Sequence, residues 1–151
     1  LKLRIEVDSN MTEDEIVIRC RELTPTIVNL HKTIEAKTVQ PPDIAFYKDK
    51  SEFYLPLDDV MFFETSDDTV YAHTRNDVYS TSRKLYELQA ILPPPFVRVS
   101  KSTIVNVRHI LSVNRNITSP GLVKFHDSHK QIYVSRMYFK ELKYVLSNQR
   151  V

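Results

Sequence analysis

The chain has 151 residues, a length that suits one domain or one domain with a small extension. Its single cysteine excludes an internal disulfide, and its single glycine excludes a P-loop and a Rossmann fingerprint, which need several glycines where backbone approaches phosphate. The net charge of +2 is unevenly spread: residues 1–95 carry 11 Lys+Arg against 17 Asp+Glu, and residues 96–151 carry 10 against 2, a local excess of +8 that suits a polyanion partner.

No apolar run approaches the ~18 residues of a membrane span, and nothing at the start resembles a signal peptide. A reducing, cytoplasmic setting fits the lone Cys20, which is expected as a small buried apolar residue.

In chain order, Leu3-Arg4-Ile5-Glu6-Val7 alternates as a half-buried strand does. Glu15 to Cys20 holds three consecutive β-branched residues and reads as a second strand, although Thr12-Glu13-Asp14-Glu15 also resembles a helix capping box. Thr24-Pro25 opens a helix to about Lys37, with Ile27, Leu30 and Ile34 on one face. Gln40-Pro41-Pro42 closes this β-β-α extension, so residues 1–42 form one part and 43–151 the other.

From Asp43 short aromatic and β-branched runs alternate with polar turns: Ile44–Tyr47, Phe53–Leu55, Val60–Phe63, Val70–His73 and Val78–Tyr79. This spacing predicts an antiparallel meander. Ser82 to Leu92 reads as a helix ended by Pro93-Pro94-Pro95. Phe96 to Val107 contains two apolar runs around the polar knot Ser100-Lys101-Ser102-Thr103. Leu111–Val113 and Leu122–Phe125 read as strands joined through Ser119-Pro120-Gly121, where Pro-Gly suits a type II turn with positive φ at glycine. Gln131–Val134 is the last strand, and Ser135 can cap a final helix carrying Tyr138, Leu142 and Val145 on one face. The aromatic residues read as core, not as a stacking platform for single strands.

His126-Asp127-Ser128-His129 lies between two strands and reads as a turn; no metal or cofactor is expected there. Asp58-Asp59 and Asp67-Asp68 read as solvated turn acids. The basic, hydroxyl-bearing loops are the better candidates. Lysine and serine contact phosphate, and lysine also reaches guanine acceptors in a major groove. Arg136 sits at a helix start, where free N–H groups favour a phosphate but a cation opposes the helix dipole. That conflict singles the residue out.

Phe96-x-Arg98-x-Ser100-Lys101-Ser102-x-Ile104-Val105-Asn106 resembles the signature of the LytTR family of bacterial DNA-binding domains. Leu57-Asp58-Asp59-Val60-Met61-Phe62-Phe63-Glu64 resembles the family's early D-I-x-Y-x-E strand, and Ile132-Val134-Ser135-Arg136 with Phe139 and Leu142 resembles its C-terminal V-S-x-x-x-L end. The resemblance spans about Asp43 to Ser147. It implies a mainly β (α+β) fold, an antiparallel LytTR-type β-fold with short helices. It also implies a response-regulator-like output domain that sets loops into successive major grooves and bends the duplex. Lys101 falls at a base-contacting position and Arg136 at the contact that opens the last helix. The third contact belongs to the loop after Phe63-Glu64, here Thr65-Ser66-Asp67-Asp68-Thr69. Its acids either read cytosine N4 or repel phosphate.

The residues before Asp43 are too few for a receiver domain, so the chain resembles stand-alone LytTR regulators, some of which act beside a small membrane protein that restrains them. Residues 1–42 are then a candidate dimerisation or partner surface, or merely a cover for a sheet edge. The expected contacts with double-stranded DNA are Arg98, Ser100, Lys101, Ser102, Arg108, Arg115, Lys124, Ser135 and Arg136, with Ser66, Asp67, Asp68 and Thr69 as a further loop. Self-association on paired half-sites is expected, and no small-molecule substrate. The competing reading is a protein-interaction adaptor or anti-regulator that keeps the fold without specific DNA binding.

Overall fold

Phe62 and Phe63 are both buried, and they point to opposite sides of one strand. That pairing sets the architecture. A strand with period two buries both neighbours only when each face of its sheet is covered. The computed structural model describes residues 2–38, 42–114 and 120–148, and the chain divides into two units, Leu1–Gln40 and Pro41–Val151.

The described residues of the first unit hold one helix, α1 (Pro25–Thr38). Thr24 caps it as the sequence predicts, its Oγ1 accepting the Ile27 N–H at 3.3 Å. The two strands expected before it do not form: residues 2–23 carry no strand. Alternation supplies the pattern of a strand but not the partner that its backbone groups need. Cys20, expected to be buried, is exposed, because no described residue of this unit is buried.

The second unit is built on a seven-stranded antiparallel sheet. Its strands are β1 (Phe46–Lys48), β2 (Ser51–Phe53), β3 (Phe62–Ser66), β4 (Thr69–His73), β5 (Val78–Thr81), β6 (Phe96–Arg98) and β7 (Thr103–Asn106), in the order β2-β1-β5-β4-β3-β7-β6. The expected meander holds for β3-β4-β5, but β1 joins the far side of β5. Pro56 and the 3-10 turn Leu57–Asp59 carry the chain from β2 to β3. A helix, α2 (Leu85–Ile91), connects β5 to β6. A second sheet follows, made of β8 (Ile110–Asn114), β9 (Gly121–Phe125) and β10 (Gln131–Val134) in the order β10-β9-β8, and α3 (Arg136–Asn148) closes the chain.

Each face of the large sheet has its own core. Phe63, Val70, Ala72 and Ile104 pack with Leu85 and Leu88 of α2. Phe62, Val97, Val99 and Val105 pack with Val123, Phe125, Ile132, Val134 and Leu142 of the second sheet and α3. Phe62 stacks on Phe125 at 5.3 Å and on His73 at 4.2 Å. Asn106 is buried between elements and satisfied: its Nδ2 donates to Val60 O at 3.1 Å, and its Oδ1 accepts the Arg108 N–H at 3.1 Å. Several tyrosines depart from the core reading, with Tyr54, Tyr86, Tyr133 and Tyr144 exposed.

Two features correct the turn chemistry read from the sequence. Gly121 does not adopt positive φ; it is the first residue of β9 and pairs with Val134. A Cβ there would meet Phe139 Cε2 at 3.0 Å and Asn114 O at 3.3 Å, so close packing against α3 selects the glycine. The positive φ values fall on non-glycine residues, among them Asp49 and Lys50 in the β1–β2 turn and Asp67 and Asp68 in the β3–β4 turn. Successive left-handed residues make the type I′ turns that two-residue hairpins favour.

Candidate nucleic-acid interface

The polar knot after β6 is the tip of the β6–β7 hairpin, and its backbone is held on all sides. Val99 and Ser100 N–H groups donate to Thr103 O at 3.0 and 3.4 Å, and Ser102 N–H donates to Ser100 Oγ at 3.2 Å. Ser100 Oγ and Ser102 Oγ lie 3.3 Å apart. Arg98 supplies the strongest brace. Its Nε donates to Ser100 O at 2.8 Å, its Nη2 to Lys101 O at 2.5 Å, and its Nη1 to Gln89 Oε1 of α2 at 2.9 Å. The guanidinium expected on a phosphate is therefore turned onto the loop's own carbonyls.

Two further segments converge on this tip. Thr65 N–H donates to Ser102 O at 2.8 Å, which ties the end of β3, and with it the Ser66–Thr69 tip, to the β6–β7 loop. Ser135 N–H donates to Val99 O at 2.9 Å, which ties the start of α3 to the same loop. Ser100–Ser102, Ser66–Thr69 and Ser135–Arg136 thus share one end of the sheets. Lys101 and Arg136 are exposed there, and neither side chain has a hydrogen-bond or ion-pair partner among the described residues. Ser135 is half-buried, and α3 has no acid in its first turn to compete for an anion.

The remaining expected residues lie elsewhere. Arg108 follows the opposite end of β7, roughly 13 Å along the strand from Ser102 at ~3.3 Å per residue. Its Nη1 pairs with Asp58 Oδ1 at 3.2 Å. Lys124 is exposed on β9, opposite Gln131 and Ser112, towards that far end. Arg115 falls outside the described residues. Lys84 was missed by the sequence reading. It sits in the acidic half, just before α2, yet its Nζ donates to Asp68 O at 3.2 Å and sets a cation on the acidic tip. Only pairing of β4 with β5 reveals that proximity, so no local signal could have found it.

The ionisable groups with shifted pKa sit away from these loops. His73 is pushed down to about 4 by burial and then by the Lys130 charge. Lys130 is itself held below its usual range by burial, with its Nζ donating to Thr74 O at 2.8 Å and Asp77 O at 3.2 Å. Lys48 and Asp77 form an ion pair that raises the lysine and lowers the acid. The His126–His129 segment is a turn and strand approach, and the described residues bring no group of three metal-ligating side chains together.

The described residues of the second unit form a small antiparallel fold of two sheets with short helices, and three braced loops lie at one end of it. Among the described residues no two α-helices follow one another in the chain. The LytTR family, described as the LytTr DNA-binding domain, matches residues 50–147, and the chain belongs to that family of DNA-binding, non-catalytic domains. It is similar to an uncharacterized HTH-type transcriptional regulator of Staphylococcus aureus strain bovine RF122 / ET3-1, 30% identical over 150 residues that cover 97% of this chain and 99% of the relative. The counterpart in strain NCTC 8325 / PS 47 is also 30% identical over the same share of both chains. The fold resembles the LytTr DNA-binding domain of a putative methyl-accepting/DNA response regulator from Bacillus cereus, with a TM-score of 0.63 and 23% identity over 70% of this chain and 97% of that one.

Proposed function

We propose that this protein is a bacterial, cytoplasmic transcriptional regulator that binds duplex DNA with the three loops at one end of its sheets, set into successive major grooves. The observation that carries the reading is the convergence of Ser100–Ser102, Ser66–Thr69 and Ser135–Arg136 through the Thr65–Ser102 and Ser135–Val99 hydrogen bonds. Lys101 reads a base edge, since it is exposed at a tip whose backbone is fixed. Arg136 holds a phosphate or a guanine at the start of α3. Ser100, Ser102 and Ser135 add hydrogen bonds to phosphate oxygens. Lys84 lets the acidic Asp67-Asp68 tip approach the duplex, and Arg98 acts by positioning. Arg108 and Lys124 serve at most as flanking phosphate contacts from the far end. A single module of this size buries little DNA, so two copies act on paired half-sites.

Sequences selected from random DNA, followed by titration of the selected site against salt, test this reading. Lys101→Ala should weaken the selected site by about 1–3 kcal/mol and leave non-specific binding nearly unchanged. Equal loss on both would reduce Lys101 to a phosphate contact, and a flat salt dependence would remove the electrostatic account. The exposed Asp67-Asp68 tip favours one competing reading, an adaptor that binds protein through the same end. Selection that enriches no sequence, together with a stable protein complex lost on changing that tip, would establish it instead. A restraining membrane protein would be a partner of the extension, not of these loops.

A further inference from the structure

No described residue of the extension is buried, and α1 has no buried position along its 14 residues. A helix of that length is marginal in water without a packed face. Residues 2–8 carry the same deficit. Leu3, Ile5 and Val7 alternate with Lys2, Arg4, Glu6 and Asp8, and the three apolar residues are 97%, 90% and 93% exposed. Arg4 Nη2 lies 2.6 Å from Glu6 Oε1, so these charges share one side of the segment, as residues two apart do in extended chain. The segment has the alternation of a strand, and among the described residues it pairs with none.

The order of its charges specifies a partner. When an identical segment is laid antiparallel across it about Ile5, Arg4 faces Glu6 of the second copy and Lys2 faces Asp8. Leu3 faces Val7, and Ile5 faces its own counterpart. Every charge meets its opposite and every apolar residue meets an apolar one, which is the side-chain pairing that stabilises an antiparallel ladder. Sliding the register by two residues sets Arg4 against Arg4 or Glu6 against Glu6, and a parallel in-register pairing sets like against like throughout.

We propose that residues 2–8 form an antiparallel two-stranded ribbon with a second copy of this chain, centred on Ile5, and that the extension is the protein's dimerisation element. The pairing is two-fold and self-complementary, as a closed homodimer requires. A ribbon alone does not hold in water. The exposed Ile16, Val17, Leu23 and Leu30 of the extension supply apolar surface to cover its Leu3-Ile5-Val7 face. The proposal deepens the DNA reading above by giving paired half-sites their two-fold protein. Only that use of the dimer rests on that reading, because assembly is measured without DNA.

The test is sedimentation velocity of the full chain across a concentration series. The wild type should be dimeric. Arg4→Glu alone and Glu6→Arg alone should each weaken dimerisation about tenfold or more, since each sets like charges opposite one another twice. An equal mixture of the two variants should recover the dimer, because the acids at positions 4 and 6 of one chain then face the arginines at positions 6 and 4 of the other. In a Cys20→Ser background, Ile5→Cys should cross-link on mild oxidation. Lys2→Cys should not, because its two copies would lie roughly 20 Å apart in this register. Thermal melting of each variant checks that the remainder of the chain is intact. A monomeric wild type, single variants as dimeric as the wild type, or Lys2→Cys cross-linking as fast as Ile5→Cys would each overturn the proposal. An intact dimer that binds no DNA would instead overturn only the DNA reading.

Discussion

Arg98→Ala separates a residue that touches DNA from one that shapes what touches it. The guanidinium makes hydrogen bonds to Ser100 O, Lys101 O and Gln89 Oε1 at 2.8, 2.5 and 2.9 Å. Hydrogen bonds from a charged, half-exposed donor contribute about 0.5–1.5 kcal/mol each, so removing them frees on the order of 2–3 kcal/mol of local anchoring. The tip does not dissolve, because the Thr65–Ser102 and Val99–Thr103 backbone bonds remain. Ser100 and Lys101 regain backbone freedom, which binding must then remove at about 1 kcal/mol per residue or more. Affinity for the selected site should therefore fall by about 2 kcal/mol, roughly thirtyfold. A phosphate-contacting arginine would lower the salt slope by about 0.9 when removed. Arg98→Ala should lower it by far less. Arg98→Lys should bind as poorly as the alanine variant, because an ammonium cannot brace three acceptors in a fork. Fluorescence anisotropy against salt reads both quantities. A full loss of slope, or near-wild-type binding by Arg98→Lys, would refute the positioning role.

Four further outcomes follow from the core and the turns. Gly121→Ala should cost about 1–3 kcal/mol in denaturant unfolding, because the new Cβ meets Phe139, and adding Phe139→Leu should return part of it. Asn106→Ala should cost about 2–4 kcal/mol, since it strands the buried Val60 carbonyl and leaves the Arg108 N–H without its acceptor. His73 is held near 4 in the folded protein against an ordinary value of 6.5, so the unfolded chain binds more protons between those limits and stability is lost as pH falls from about 6.5 to about 4. His73 is only partly buried and solvent screening trims the effect, so the loss should be about 1–2 kcal/mol, and His73→Phe, which keeps the stack on Phe62 and removes an unpartnered buried Nδ1, should flatten the curve. Lys50→Gly should stabilise by about 0.5–1 kcal/mol, read as a rise in Tm, because Lys50 holds a φ of 65° that glycine adopts without strain.

The strands of the second unit were legible because two-residue periodicity and punctuating turns are local, and β3 through β10 fall close to their expected places. The β3-β4-β5 neighbours follow chain order and were legible too, whereas the β1–β5 pairing was not, because it joins Tyr47 to Ser80 across three intervening strands. The extension failed for the same reason: Leu3, Ile5 and Val7 alternate correctly, but a strand is a property of a pair. At the candidate site, Lys101 and Arg136 stand exposed at one end of the sheets. Arg98 has the residue type of a phosphate ligand and the geometry of a brace, and only coordinates distinguish the two. Lys84 reaches Asp68 across a strand pairing, where charge counted along the chain is blind. Gly121 was assigned to a turn by its proline neighbour, whereas Phe139, distant in sequence, dictates it.

Which end of the sheets faces the duplex can be read directly. A DNA-cleaving chelate is attached to a single cysteine in a Cys20→Ser background, at Lys101, at Arg136 or at Leu111, an exposed residue near the Arg108 end. Each protein is bound to the selected site at a concentration that saturates it, which offsets the affinity lost with Lys101 or Arg136, and the cut positions are mapped. Strong cleavage from positions 101 and 136, with little or none from 111, is the predicted result. Cleavage from 111 equal to that from 101 and 136, or no localised cleavage from the latter two, would contradict the account.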